Sequence, residues 1–138
     1  MAAFAVLLYF AQQAKDCGID YIVKTDIPQS LGLSETDVSV LLGNLLENAL
    51  DACREEPSDD RRIIVCAGTE NGALCLTVDN TFTGTLKRGA DGRLLSTKPK
   101  GSGLGAGSVQ SIAERCHGLC RLEARDGMFY ASVYCPLK

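Results

Sequence analysis

The sequence predicts an α+β fold, a two-layer sandwich in which helices pack on one face of a mixed, mostly antiparallel sheet. Three observations predict it. Leu41, Leu42, Leu45, Leu46, Ala49 and Cys53 fill one broad arc at about 100° per residue, so a long helix has a single apolar face to bury. Asn71-Gly72 and Asp126-Gly127 each separate two alternating, strand-like runs, which is how tight hairpins read. The elements then follow in the order helix, strand, helix, two strands, an aperiodic stretch, helix, two strands, and they fit one domain over residues 1–138.

In chain order, Ala2 to Lys15 has helical periodicity, with Phe4, Leu7, Leu8 and Ala11 on one face, and Asp16-Cys17-Gly18 stops it. It starts without a cap, so residues 1–16 read as the trimmed end of a longer helix. Ile19 to Thr25 alternates as a strand and closes at Asp26-Ile27-Pro28. Ser34 followed by Asp37 resembles a capping box, opening a helix that ends near Glu55-Glu56-Pro57. Arg62 to Thr69 and Ala73 to Asp79 form the first hairpin. Regular pattern is then absent from Asn80 to Gly103, and an aperiodic stretch of that length in a compact domain predicts a functional lid, placed at residues 81–100. Val109, Ile112, Ala113 and Cys116 mark another amphipathic helix, and Leu119 to Arg125 with Met128 to Cys135 make the second hairpin.

Composition narrows the function. A formal net charge of −3 gives no basic footprint, so nucleic acid is not an expected partner. No apolar run approaches the roughly 18 residues a bilayer requires, and the apolar start has no basic leader or cleavage site, so neither membrane contact nor a signal peptide is expected. The seven cysteines are odd in number and most sit among apolar neighbours, as reduced thiols do in a cytosol. Cys116 and Cys120 flank His117 without a second matching pair, which argues against zinc.

Two stretches carry chemistry. Asn44, Asn48 and Asp51 fall at i, i+4 and i+7, a polar stripe at the edge of the apolar arc. Asparagine is a mediocre helix former, so two of them a turn apart in mid-helix point to a need for their amide oxygens. Such oxygens suit a hard cation such as Mg²⁺ that keeps several waters and touches phosphates. Further on, Thr97-Lys98-Pro99-Lys100 runs into Gly101-Ser102-Gly103-Leu104-Gly105 just before a helix start. Alternate glycines there let backbone N–H groups approach an anion, which the helix dipole also favours. Rossmann and P-loop readings fail, because these glycines follow a lid rather than a strand and lack the G-K-[ST] ending.

The run N-L-L-E-N-A-L-D-A at 44–52 resembles the N box of the GHKL superfamily, the Bergerat ATP-binding fold of gyrase, the MutL repair proteins and sensor histidine kinases. K-G-S-G-L-G at 100–105 resembles its G2 box. With G-I-D-Y-I-V-K-T-D-I-P upstream, the chain is most similar to histidine kinases that sense peptide pheromones in Gram-positive bacteria. The resemblance implies an ATP-binding catalytic domain, cytoplasmic, within a membrane-bound sensor. Its implied partners are the kinase's dimerisation and phosphoacceptor domain and a downstream response regulator. Asn48 matches the asparagine that coordinates Mg²⁺, and Asn44 takes the other N-box position facing the phosphates, where gyrase-type hydrolases keep a glutamate. Asp51, Gly101, Gly103, Leu104 and Gly105 complete the implied ATP site, to which Lys98 or Lys100 adds a cation.

One departure stands out. The family's G1 box is D-x-G-x-G, and this chain has Val78-Asp79-Asn80-Thr81-Phe82-Thr83-Gly84. Aligning Asn80 with the adenine-reading aspartate puts Phe82 and Gly84 at the glycine positions, whereas aligning Asp79 keeps the acid and loses both glycines. The Asn80 alignment is preferred, since its amide oxygen still accepts from adenine N6. The sole histidine, His117, lies beyond the G2 box and is read as structural, so phosphate must go to an acceptor elsewhere. Two alternatives accompany the histidine kinase: an anti-sigma-factor-type serine kinase of the same fold, and a degenerate module that no longer holds ATP.

Overall fold

A computed structural model of the chain describes residues 2–26, 35–57, 59–82, 87–88, 94–95 and 118–136. Its elements are α1 (Ala2–Asp16), β1 (Asp20–Asp26), α2 (Glu35–Arg54), β2 (Arg62–Glu70), β3 (Ala73–Thr81), β4 (Lys87–Arg88), β5 (Leu94–Leu95), β6 (Leu119–Arg125) and β7 (Met128–Pro136). Five strands form one sheet in the order β1-β2-β3-β7-β6, parallel between β1 and β2 and antiparallel elsewhere. The two described helices pack against this sheet in the α+β arrangement read from the sequence.

The predicted arc of α2 is the core. Leu41, Leu42, Leu45, Leu46, Ala49 and Cys53 are all buried, joined by Val38 and Leu50. They meet the helix-facing residues of the sheet, Ile63, Val65 and Ala67 on β2, Leu74, Leu76 and Val78 on β3, and Ala131 and Val133 on β7. Each hairpin turn puts both central residues at positive φ, 50° and 74° at Asn71-Gly72 and 54° and 77° at Asp126-Gly127. That geometry matches the twist of the flanking strands and locks the registers Glu70 with Ala73 and Arg125 with Met128.

α1 ends as its sequence predicts, on Gly18 at φ +65°. Gly18 N–H donates to the Lys15 carbonyl at 3.2 Å and Ile19 N–H to the Ala14 carbonyl at 2.9 Å, a Schellman closure with Ala14 and Ile19 both buried. Its core face differs from the expected stripe. Leu7 and Ala14 are buried, whereas Phe4 is 60% and Leu8 58% exposed, because α1 presents only a narrow strip to the core. Arg61 then ties the two helices together. Its guanidinium donates to the Cys17 carbonyl past α1 at 2.8 Å and, past or at the end of α2, to the Glu56 and Arg54 carbonyls at 3.0 and 3.2 Å. These carbonyls lie at or just beyond helix C-termini, where intrahelical donors run out.

Within the stretch read as aperiodic, β3 runs on to Thr81, and β4 pairs with β5 through Lys87 with Leu95 and Arg88 with Leu94. Two-residue strands are too short to leave a period in the sequence. Ser34, the rest of the lid, the glycine run and the helix expected after it lie outside the described residues.

At the start of the second hairpin, a Cβ on Gly118 would run directly into the backbone carbonyl of Tyr134 on β7. Gly118→Ala is therefore expected to destabilise the fold by at least about 1–3 kcal/mol, seen as a lower urea midpoint with an unchanged m-value.

Candidate functional site

A pocket opens between the C-terminal half of α2 and the sheet. It is lined by Leu45, Asn48 and Ala49 from α2, Val78 and Asn80 from β3, Leu122 from β6, and Phe129 and Ala131 from β7. Two residues singled out far apart in the sequence, Asn48 and Asn80, meet there, and among the described lining residues they are the polar ones.

Strand parity brings Asn80 to this side. Leu74, Leu76 and Val78 face the helices, so Asn80, two residues on, does too, and it is only 2% exposed. Its Nδ2 donates to the Thr81 carbonyl at 2.9 Å. A carbonyl can only accept, so this bond fixes which end of the amide is the nitrogen and leaves Oδ1 as the accepting atom of a residue that lines the pocket. Asp79 points the other way. It stands opposite Ile64 and Tyr130 on the sheet face away from α2, where burial pushes its carboxyl pKa up and nearby Arg125 pulls it down. Of the two alignments weighed in the sequence, only Asn80 reaches the pocket.

On α2, Asn48 contributes to the lining, one turn from half-buried Asn44, which does not. Asp51 follows on the same stripe, and its Oδ1 accepts from Arg54 Nη1 at 3.2 Å. The Asp51 carboxylate is thus held by a cation of its own helix. Nearby, Cys53 Sγ donates to the Arg62 carbonyl at 3.4 Å and lies 3.6 Å from Thr81 Oγ1, which also accepts from Arg62 N–H at 3.2 Å. This knot, with burial raising the thiol pKa, pins the end of β3 beneath α2. Lys98, Lys100, Gly101, Gly103, Leu104 and Gly105 lie outside the described residues, so the structure assembles the α2 and β3 part of the expected site.

The sequence reading missed Phe129, and it placed Phe82 only as the occupant of a glycine position. Phe129 pairs with Asn80 across the β3–β7 ladder, and Phe82 meets its ring edge-on with centroids 5.7 Å apart. The available signal was the alternation of β7, which puts Phe129 on the same face as buried Ala131 and Val133.

Residues 33–136 match the GHKL domain family. Two curated relatives are described as probable C4-dicarboxylate sensor kinases. The one from Halalkalibacterium halodurans is 29% identical over 141 residues, covering 96% of this chain and 26% of the relative. The one from Bacillus subtilis is 26% identical over 147 residues, covering 99% and 27%. The chain thus spans about a quarter of these relatives' length. Both are named for dicarboxylates, so they agree with a sensor kinase and give no support to the pheromone-sensing type expected from the sequence. Among solved structures, the catalytic domain of histidine kinase ThkA superposes with a TM-score of 0.75 at 20% identity, covering 98% of this chain and 90% of that one. Full-length ShkA in complex with AMPPNP superposes with a TM-score of 0.76 at 17% identity, covering 99% and 29%.

Asp79 gives a two-part prediction. A carboxyl whose pKa is raised by folding favours the folded state while protonated, and that stability is lost as pH rises through the folded pKa. Asp79→Asn is therefore expected to raise Tm at pH 7 by about 1–3 °C, with the gap closing below about pH 4, where the carboxyl is protonated in both states. Thermal melts across pH measure this, and nucleotide binding by the same variant is expected to stay at the wild-type level.

Proposed function

The chain belongs to the GHKL domain family, and on that premise we propose that it is the ATP-binding catalytic domain of a sensor histidine kinase that passes the γ-phosphate to a histidine on another domain. The observation that carries the proposal is the meeting of Asn48 and Asn80 at one pocket whose other described lining residues are apolar. A flat apolar base needs such walls, and its exocyclic amino group needs one acceptor, which Asn80 Oδ1 supplies. The donor set therefore fits an adenine nucleotide.

Asn48, with Asn44 a turn away, is the group to hold Mg²⁺ beside the phosphates, since amide oxygens and water suit this cation. Bound Mg²⁺ supplies charge neutralisation for the transferring phosphoryl group. Asn44 has no proton-accepting carboxylate, so water near it finds no general base. An imidazole nitrogen brings its own lone pair and needs none. Lys98 or Lys100 adds positive charge, and Gly101, Gly103, Leu104 and Gly105 give backbone N–H groups to the phosphates. The lid, read from the sequence at residues 81–100, is assigned to the part after Phe82, since Thr81 ends β3 and Phe82 N–H is bonded to the Gly127 carbonyl. The parent protein is a membrane-bound sensor with this domain on its cytoplasmic side, and a response regulator takes the phosphate onward.

Titration calorimetry with ADP and ATP in the presence of Mg²⁺ tests the site. Asn48→Asp is expected to weaken Mg²⁺-dependent binding by roughly tenfold or more while the circular dichroism spectrum is unchanged. Wild-type affinity in this variant would remove Asn48 from the metal.

Phosphotransfer tests the reaction. With γ-labelled ATP the chain is expected to hydrolyse negligibly by itself, yet to label an added dimerisation domain from the same parent, with a label that is acid-labile and base-stable. A base-labile label would instead identify a serine kinase, and brisk hydrolysis without acceptor would overturn the role given to Asn44.

A further inference from the structure

Phe129 occupies a position in the pocket that gives it more than a packing role. It stands directly across the β3–β7 ladder from Asn80 and lines the pocket beside it. The ring is half-buried, packed against the core on one side and bordering the pocket on the other. Phe82 backs it edge-on, at 5.7 Å between centroids and 75° between planes. Phe82 is itself held, because its N–H donates to the Gly127 carbonyl at 2.9 Å. Gly127, at φ +77°, is half of the tight turn between β6 and β7. The turn thus places Phe82, and Phe82 sets the Phe129 ring.

The consequence lies in what the sheet offers a base. Val78, Ala131, Leu122 and Phe129 are apolar, and Asn80 has already committed its amide nitrogen to Thr81. Among the described residues the sheet side therefore presents one acceptor, Asn80 Oδ1, next to an aromatic wall. We infer that Phe129 is a specificity-determining residue of this pocket: it supplies the aromatic contact for a purine and keeps the base edge free of any second polar side chain. This rests on the nucleotide reading above, which already gives Asn80 Oδ1 to the amino group, and goes beyond it by giving the Phe129 ring the face of the base and the exclusion of a second polar group from its edge. An acceptor facing an amino group is satisfied, but facing a carbonyl oxygen it is left unpaired in a dry site, so adenine is preferred to hypoxanthine. A hydroxyl at position 129 would donate or accept as required and would bring water, which blurs that choice.

The test is calorimetric titration of ADP and IDP into wild type, Phe129→Leu and Phe129→Thr, with thermal melts to establish folding. Wild type is expected to bind ADP roughly tenfold or more tighter than IDP. Phe129→Leu keeps the wall apolar but removes the ring, and should weaken both ligands by about tenfold with their ratio unchanged. Phe129→Thr should narrow the ratio to about threefold or less. ADP binding by Phe129→Leu at wild-type strength, or an unchanged ratio in folded Phe129→Thr, overturns the inference while leaving the nucleotide reading in place. Wild type that binds neither ligand overturns both. If Phe129→Thr does not fold, Phe129→Leu decides the aromatic contact by itself.

Discussion

The pocket depends on the parity of β3. A strand alternates its side chains between two faces, and a one-residue shift exchanges them all. Leu74, Leu76 and Val78 are each at most 1% exposed, so the apolar packing of three residues decides where the fourth on that side, Asn80, must point. No local preference of asparagine would put it there. The same constraint turns Asp79 to the opposite face, beside Tyr130, with the Arg125 guanidinium 4.5 Å from the Tyr130 ring. Burial energy thus selects which of two neighbouring polar residues faces the helices.

The other wall of the pocket is rigid for a related reason. α2 cannot rotate without lifting its apolar arc off the sheet, and at fully buried Leu41, Leu42 and Leu46 any rotation forfeits close-packed contacts. Its C-terminal end is held further by Arg61, whose fork reaches carbonyls near the ends of both helices, and by Cys53 and Thr81 where α2 crosses the end of β3. Asn48 therefore stands over the sheet on an element fixed along its length. Sites built on such elements hold their geometry better than sites on loops.

The pairing of side chains in the pocket also bears on the chemistry proposed for it. A carboxylate at position 80 would be a stronger acceptor, but burying it unpaired beside Phe129 and Val78 would be costly. The amide gives up strength and in return has its second group satisfied by Thr81 within the strand. The substitution thus agrees with the apolar surroundings that Phe82 and Phe129 create. Position 44 follows a similar logic in function: an amide there can hold a ligand but cannot take a proton.

The sequence by itself determined α1, α2, β1 and the two hairpins, and the facing of the main helix, because these follow from local periodicity. The arc from Leu41 to Cys53 could be buried only as a helix face, and Asn71-Gly72 and Asp126-Gly127 could turn only as they do. It also marked Asn44 and Asn48, since asparagine in mid-helix runs against propensity. It preferred Asn80 to Asp79 by alignment without showing which of them faces the helices, and it took Phe4 and Leu8 for part of a helix face whose buried members proved to be Leu7 and Ala14. Those points were decided by tertiary structure alone. Which residue of a strand faces inward depends on the sheet's register with its neighbours, and how wide a strip of α1 is buried depends on the helix it meets. Phe129 beside Asn80, and Arg61 between two helix ends, arise from contacts between residues distant along the chain, and no spacing within the sequence encodes a distance across a ladder.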